Sequence, residues 1–180
     1  MQGQTESDLT PLGRLQAAAM GELLSNLIDR SADWRIVASP LRRARHTAEA
    51  IGQHLGLPVA FDERLLEIDV GDWSGRLWAD LMRESPELFA DHAWGFRAPN
   101  GETYEGMMAR LSGWLAEQSA EADRRLIVVS HGFAGRLLRG AYAGLSQDDT
   151  LAQDVPQDAI FRLAGGQIER LACAPVSEPA

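Results

Sequence analysis

The chain has 180 residues, of which 45% are hydrophobic and 24% are charged. These proportions are ordinary for a single folded domain and exclude intrinsically disordered, collagen-like and coiled-coil proteins. The formal net charge of −9 opposes non-specific binding to nucleic acid or to anionic membranes. No apolar stretch approaches the roughly 20 residues that cross a bilayer, and the first residues do not resemble a secretory signal. We therefore expect a cytoplasmic protein that does not bind membranes or nucleic acid.

Hydrophobic periodicity predicts strands that alternate with helices, which is the pattern of an α/β domain around a mostly parallel sheet. We expect one domain over residues 1–173, followed by a loose tail over 174–180. The predicted helices cover 11–29, 40–55, 77–82, a long segment after Thr103, and 132–143. The predicted strands cover 34–38, 59–61, 65–70, 126–130, 159–163 and 168–171, with a surface loop or lid over 85–100.

Three arginines, Arg42, Arg43 and Arg45, follow Ser39-Pro40 in the first turn and a half of a predicted helix. The helix dipole disfavours cations at this end, whereas a bound anion there would be stabilised by free N–H groups and by a guanidinium. The segment therefore predicts either an anion site or a solvated basic face, and by itself it does not decide between them.

His131 directly follows a buried apolar strand and precedes Gly132. In open α/β sheets, ligands bind outside the carboxyl ends of the strands, so this histidine stands where a functional side chain is expected. The alternative is a structural histidine that starts the next helix. The other histidines, His46, His54 and His92, lack such a setting, and we expect them at the surface.

A third candidate segment runs from Leu65 to Trp73 and interleaves Glu67, Asp69 and Asp72 with apolar residues. Partial burial raises the pKa of a carboxyl group, and a general acid needs a raised pKa. The spacing of these acids does not say which one has that role, because each is also compatible with a turn or a surface position.

Several motifs occur in order over nearly the whole chain. They are Leu9-Thr10-Pro11-Leu12-Gly13, Ser39-Pro40-Leu41-Arg42-Arg43-Ala44, the segment from Leu66 to Gly75, Gly101-Glu102-Thr103, and Val129-Ser130-His131-Gly132. Taken together, they resemble the histidine phosphatase superfamily, in its phosphoglycerate mutase-like branch. The resemblance implies a three-layer α/β/α sandwich and phosphoryl transfer through a phosphohistidine, without a metal or another cofactor.

The resemblance also implies roles for three residues. Arg43 matches the arginine that binds the phosphate, Glu67 matches the acid that protonates the leaving oxygen, and His131 matches the second histidine, which holds the phosphoryl oxygens. The chain departs from the family pattern at Ser74, where a glutamate is common, and at Phe133, where a glycine is common. Neither departure changes the residues that the chemistry needs.

A larger departure concerns the nucleophile, which in the family is the histidine of an Arg-His-Gly motif at the end of the first strand. This chain contains no Arg-His-Gly. Its opening residues align either with a degenerate form of that motif, with Gln2 in place of the histidine, or with the end of the loop that follows the motif. Spacing to Leu9 favours the loop, so we expect the first strand and the nucleophile to be missing from these 180 residues.

The sequence thus predicts a phosphomonoester hydrolase that acts on a small phosphorylated molecule and is inactive unless the chain is extended. The short interval between Glu67 and Gly101 favours a small phosphatase over a phosphoglycerate mutase. The alternatives are a catalytically dead protein that binds phosphate or a partner at the same pocket, and a non-functional fragment. The natural substrate and the oligomeric state do not follow from the sequence.

Overall fold

Three parallel strands form the centre of the fold in the computed structural model, which describes residues 1–119 and 125–177. They are β1 (Trp34–Ala38), β2 (Val59–Phe61) and β3 (Arg125–Val129). Strand β1 lies in the middle, with β2 on one side and β3 on the other. The pairing aligns Ala38 with Val129, so β1 and β3 end side by side and the residues that follow them meet at one edge of the sheet.

Helices cover both faces of this sheet. They are α1 (Pro11–Leu27), α2 (Arg42–Leu55), α3 (Trp78–Glu84), α4 (Tyr104–Ser119), α5 (Gly132–Ala143) and α6 (Gln147–Ala152). Helix α1 begins as the sequence predicts, because the Thr10 side chain accepts the Gly13 N–H at 3.0 Å and Pro11 occupies the first position. Within the described residues, none of these helices combines the length and the apolar character needed to span a bilayer.

The apolar side chains form two clusters, one on each face of the sheet. Ile36 and Ile127 point towards α1 and α2, where they pack with Ile51. Val37 and Leu126, the alternate residues of the same strands, point towards the cluster that α4 and α5 build. Side chains of a strand alternate between its faces, so this burial pattern confirms the predicted three-layer α/β/α arrangement.

Two further strands, β4 (Ala159–Ala164) and β5 (Gln167–Ala172), form an antiparallel hairpin, as predicted. Ile160 of β4 packs against the apolar cluster beneath α1 and α2. Within residues 1–119 and 125–177, β3 pairs only with β1 and β4 pairs only with β5. One edge of β3 and one edge of β4 therefore have no strand partner in the part of the chain described.

The structure differs from the sequence prediction at several places. The predicted strand over 65–70 is wrong, because this segment is irregular between two short 3-10 helices, Glu63–Leu65 and Gly71–Trp73. The sequence pattern does not predict helix α6. The predicted loop over 85–100 contains two 3-10 turns, and its aromatic rings pack on the protein. Of the predicted loose tail, residues 178–180 lie outside the described part of the chain.

Candidate functional site

Ser39 and His131 meet at the ends of the two adjacent strands. The Ser39 N–H donates to the Val129 carbonyl at 2.9 Å, which continues the pairing of β1 with β3 past Ala38. The Ser39 hydroxyl is fully buried and lies 2.7 Å from Nε2 of His131, with which it shares a hydrogen bond. Ser39 followed by Pro40 has the pattern of a helix N-cap and a first-position proline, which predicts that Ser39 caps the next helix. That prediction is wrong, because α2 starts only at Arg42 and Leu41 stands before it without a side-chain cap.

His131 lies at the start of α5, at the carboxyl edge of the sheet, as its position in the sequence predicts. The pKa of its imidazole is lowered from 6.5 to about 3, mainly by burial and in addition by the positive charges of Arg43 and Arg110. The imidazole is therefore neutral at physiological pH. A neutral imidazole next to guanidinium groups is suited to receive an anion, whose charge would offset the two arginines.

Arg43 reaches the same region from the second residue of α2. Its two terminal nitrogens donate to the backbone oxygens of Thr5, at 2.9 Å, and Gly3, at 2.7 Å. These bonds fix the guanidinium and use two of its five N–H groups, so three remain for another acceptor. Burial lowers the pKa of Arg43, while the nearby carboxylates of Glu67 and Glu6 act in the opposite direction.

The other two arginines of the basic cluster point elsewhere. Arg42 pairs with Asp8 at 3.5 Å, and its backbone N–H donates to the Glu6 carboxylate at 2.8 Å. The guanidinium of Arg45 lies 4.4 Å from the centre of the Phe61 ring. The three arginines therefore differ in position. Arg43 lies near Glu67 and His131, while Arg42 and Arg45 belong to an exposed basic face.

Glu67 is the acid that the structure places beside Arg43 and His131. Its carboxylate accepts three backbone N–H groups, from Ile68 at 3.0 Å, Ala134 at 3.2 Å and Phe133 at 3.3 Å. Burial raises the pKa of Glu67, whereas these hydrogen bonds and the charge of Arg43 lower it; burial dominates. A carboxyl group with a raised pKa holds its proton more tightly, which is what a proton donor requires.

The two neighbouring acids have structural roles. Oδ1 of Asp69 accepts the Gly71 N–H at 2.9 Å and shapes the turn that follows. Oδ2 of Asp72 accepts a hydrogen bond from the Asn100 amide at 3.0 Å. Of the three acids that the sequence leaves open, only Glu67 contacts the start of α5.

Arg43, Glu67 and His131 come from α2, an irregular segment and the end of β3, and the fold brings them together. The positive charge of Arg43 is close enough to lower the pKa of both Glu67 and His131. Gly132, directly after His131, lies so close to Glu67 that an added Cβ would stand 3.6 Å from Oε2 of the carboxylate. The fold thus brings a cation, a neutral imidazole and a buried carboxyl group together at one edge of the sheet.

The remaining histidines lie away from this cluster. His54 sits against Gly21 of α1, and its Nδ1 is 3.1 Å from the Ala50 carbonyl oxygen. His92 is exposed. His46 is half-buried and lines a cavity of about 210 Å³ between α1 and α2, so it is less exposed than the sequence predicts. Within the described residues, no group of three or more histidine, cysteine, aspartate or glutamate side chains is arranged to hold a metal ion.

Sequence reasoning missed two further side chains at this edge. The local pattern at Ser39 predicts a helix cap, and only the pairing of β1 with β3 reveals its contact with His131. Arg136 stands five residues after His131 near the same end of α5, and no pattern in the sequence distinguishes it from the other arginines. Burial lowers the pKa of Arg136, while the carboxylates of Glu67 and Asp154 act in the opposite direction.

Comparison with known proteins gives a family match over most of the chain. The model of the histidine phosphatase superfamily (branch 1) matches residues 1–167. The chain is 35% identical over 162 residues to the glucosyl-3-phosphoglycerate phosphatase of Mycolicibacterium vanbaalenii, covering 83% of this chain and 69% of that protein. It is 34% identical over 135 residues to the uncharacterized phosphatase PhoE of Bacillus subtilis, covering 74% of this chain and 63% of that protein.

A solved structure of such a phosphatase also matches the fold of this chain. The mycobacterial glucosyl-3-phosphoglycerate phosphatase in complex with VO3 superimposes with a TM-score of 0.73 and 30% identity, covering 99% of this chain and 91% of that chain. Across the curated relatives compared, the chain spans 62% to 69% of their lengths.

Proposed function

Because this chain belongs to the histidine phosphatase superfamily, whose phosphatase members include its relatives, we propose that it is a phosphomonoester hydrolase. The observation that carries the proposal is the convergence of Arg43, Glu67 and His131 at the carboxyl edge of the sheet. These three side chains supply two of the functions that hydrolysis of a phosphomonoester needs: donors for the phosphoryl oxygens and an acid for the leaving oxygen.

Arg43 and His131 bind the transferring phosphoryl group. The guanidinium of Arg43 is held by the Gly3 and Thr5 carbonyls, so little freedom is lost when the phosphate binds its remaining N–H groups. His131 is oriented by Ser39, and a bound anion raises the pKa of its imidazole by offsetting the nearby positive charges. Glu67 delivers its proton to the ester oxygen while the bond from phosphorus to that oxygen breaks.

The attacking group in this mechanism is a second imidazole, which takes the phosphoryl group and passes it to water to release inorganic phosphate. The 180 residues contain no Arg-His-Gly. We expect this chain to bind phosphate-like anions without turnover, and the same chain extended upstream in its reading frame to hydrolyse phosphomonoesters. A protein that only binds anions at this site is the second candidate, and the missing motif is the observation that favours it.

Two measurements on the 180-residue chain and its extended form test the proposal. Calorimetry with vanadate or phosphate reports binding, and release of p-nitrophenol from p-nitrophenyl phosphate reports turnover. We expect binding by both forms and turnover by the extended one. Arg43→Ala should abolish both readouts, whereas Arg45→Ala, on the same helix but stacked on Phe61, should leave them unchanged.

Other outcomes decide between the alternatives. Binding by both forms with turnover by neither would support the anion-binding protein. Turnover by the 180-residue chain that is lost on His131→Asn and not raised by extension would contradict the role given to the missing imidazole. Absence of binding by both forms would overturn the site itself.

A further inference from the structure

A cavity of about 210 Å³ lies between α1 and α2, and within the described residues its lining includes none of Arg43, Glu67 and His131. The two helices pack closely further along, where a Cβ added to Gly21 would stand 2.9 Å from the ring of His54. Towards the first turns of both helices the cavity separates them. A water molecule occupies about 30 Å³ in the liquid, so the cavity has room for about seven waters or for one small organic molecule.

His46 of α2 lines this cavity and has a ring nitrogen without a partner. Its Nδ1 is buried and has no hydrogen bond among residues 1–119 and 125–177. Nε2 is not one of the buried atoms that lack a partner, and no described residue is hydrogen-bonded to it, so this nitrogen is accessible at the cavity wall. Buried N–H groups without an acceptor are rare, so in the neutral ring the hydrogen belongs on Nε2. His46 therefore offers an N–H donor to a molecule in the cavity.

Arg14 and Glu49 bring opposite charges to the same cavity. Both residues are exposed. In the part of the chain that the structure describes, neither the Arg14 guanidinium nor the Glu49 carboxylate has a hydrogen bond or an ion pair. Arg42, on the same pair of helices, differs in this respect because it pairs with Asp8 at 3.5 Å. The cavity is thus lined by a cation and an anion that no described side chain neutralises.

The helical spacing places the two donors of the cavity at the same level. Arg14 stands seven residues before Gly21 and His46 stands eight residues before His54, and Gly21 and His54 are in contact. Glu49 follows His46 by three residues, so it lies about one turn further along the same face of α2. The apolar residues that complete the lining are Leu9, Ala17 and Ala50.

The charges of the lining restrict the class of ligand. A simple anion would offset Arg14 and leave Glu49 without a partner, and a simple cation would do the reverse. We propose that this cavity binds a small zwitterion, namely an α-amino acid with an apolar side chain. Its carboxylate binds the Arg14 guanidinium and the Nε2–H of His46, and its ammonium group binds the Glu49 carboxylate. Its side chain packs against the apolar part of the lining.

Three matched ligands separate the contributions of the two charges. L-Valine carries both charges, isovalerate is the same molecule without the ammonium group, and isobutylamine is the same molecule without the carboxylate. Heteronuclear NMR titration of the isotopically labelled 180-residue chain measures the affinity for each ligand. We expect L-valine to bind at least about tenfold more tightly than either of the others, which is the effect of one additional charge-assisted contact. The backbone amides that shift should be those around Arg14 and from His46 to Glu49.

Variants assign each charge to its partner. Arg14→Gln should lower the affinity for L-valine to within about twofold of that for isobutylamine, and Glu49→Gln should lower it to within about twofold of that for isovalerate. His46→Gln should weaken the two carboxylate ligands and leave isobutylamine unchanged. Glu22→Gln is the control, because Glu22 is exposed on α1 and does not line the cavity. Circular dichroism melting verifies that each variant is folded.

Several outcomes would overturn the proposal. They are absence of saturable L-valine binding, equal affinity for L-valine and isovalerate in the unaltered chain, and shifts centred on His131 instead of the cavity. An unchanged affinity for L-valine in a folded Arg14→Gln or a folded Glu49→Gln would also overturn it. Should one of these two variants fail to fold, the other decides by the same comparison, because each removes a different charge.

Discussion

The hydroxyl of Ser39 lies 2.7 Å from Nε2 of His131, and this contact joins the two strand ends that build the site. Ser39 follows β1, His131 follows β3 by two residues, and the Ser39 N–H also binds the Val129 carbonyl. The orientation of the imidazole is therefore set by the same pairing that holds the sheet together. A change in either residue acts on the site and on the fold at once.

Ser39→Ala should lower the free energy of unfolding by about 1–3 kcal/mol, because it leaves a buried imidazole nitrogen without its partner. It should also weaken phosphate binding, since the ring is no longer held towards the anion. Urea titration and calorimetry measure the two effects. Ser31→Ala, an exposed change between α1 and β1, should cost less than about 0.5 kcal/mol. Equal stability of the two variants would show that the Ser39 contact is unimportant.

The pKa of His131 predicts how the free energy of unfolding depends on pH. The folded value is about 3 and the ordinary value is 6.5, so above pH 6.5 the residue is neutral in both states. As the pH falls from 6.5 towards 3, the unfolded chain takes up the proton first, and the folded state loses stability. The chain should therefore lose more stability over this interval than His131→Asn, as urea titrations at each pH would measure. Parallel losses would contradict the prediction.

The same imidazole offers a direct readout of anion binding. Without ligand, its C–H resonances should not titrate between pH 5 and 8 in a proton NMR experiment, because the folded pKa lies well below that range. Bound phosphate should raise this pKa, since the anion offsets the charges of Arg43 and Arg110. Titration of the resonances within the range in the absence of phosphate would contradict the buried, neutral state.

Glu67 should show the opposite dependence on pH. Burial raises its pKa above the ordinary 4.5, so well below pH 4.5 the group is protonated in both states and does not make the free energy of unfolding depend on pH. As the pH rises through the folded pKa, ionisation of the buried carboxyl destabilises the fold. Glu67→Gln removes this dependence, so its unfolding free energy relative to the unaltered chain should increase from pH 4.5 to 8. A constant difference would contradict the raised pKa.

A pair of glycines tests the packing of α5 against α6. A Cβ at Gly140 would lie 2.2 Å from Oγ1 of the buried Thr150, so Gly140→Ala should cost about 1–3 kcal/mol or more through overpacking. Gly113 of α4 has nothing within 4 Å of an added Cβ, and Gly113→Ala should stabilise the chain by about 0.5–1 kcal/mol. Thermal or urea unfolding measures both. The same sign for the two changes would contradict this account.

The elements that follow from the sequence are those whose residues are buried by a regular period. Trp34–Ala38 is a run of mostly apolar residues, and the structure has a strand with the same bounds. The apolar positions of α2, such as Ala44, Ala48 and Ile51, are all buried, as their helical spacing predicts. His131 also follows from position alone, because an apolar strand that ends in His-Gly places the histidine at the ligand-binding edge.

The failures have a common physical cause. The apolar residues Leu65, Ile68 and Val70 suggested a strand, yet they are buried in an irregular segment stabilised by contacts with residues far along the chain. Ser39-Pro40 has the local signature of a helix start, but the hydroxyl binds His131, 92 residues away. Local patterns do not contain such long-range partners, so the choice of Glu67 among three acids and the position of Arg136 required the fold.

Glu67 has a further consequence for α5. His131, the residue before this helix, provides no side-chain hydrogen bond to its first N–H groups, and the carboxylate of Glu67 binds those of Phe133 and Ala134 instead. The proposed proton donor is thus also a long-range N-terminal cap, in which a residue 66 positions away from Phe133 completes the helix. Glu67→Ala would therefore remove both the acid and the cap of α5, whereas Glu67→Gln removes the acid and keeps one of the two oxygens that accept these N–H groups.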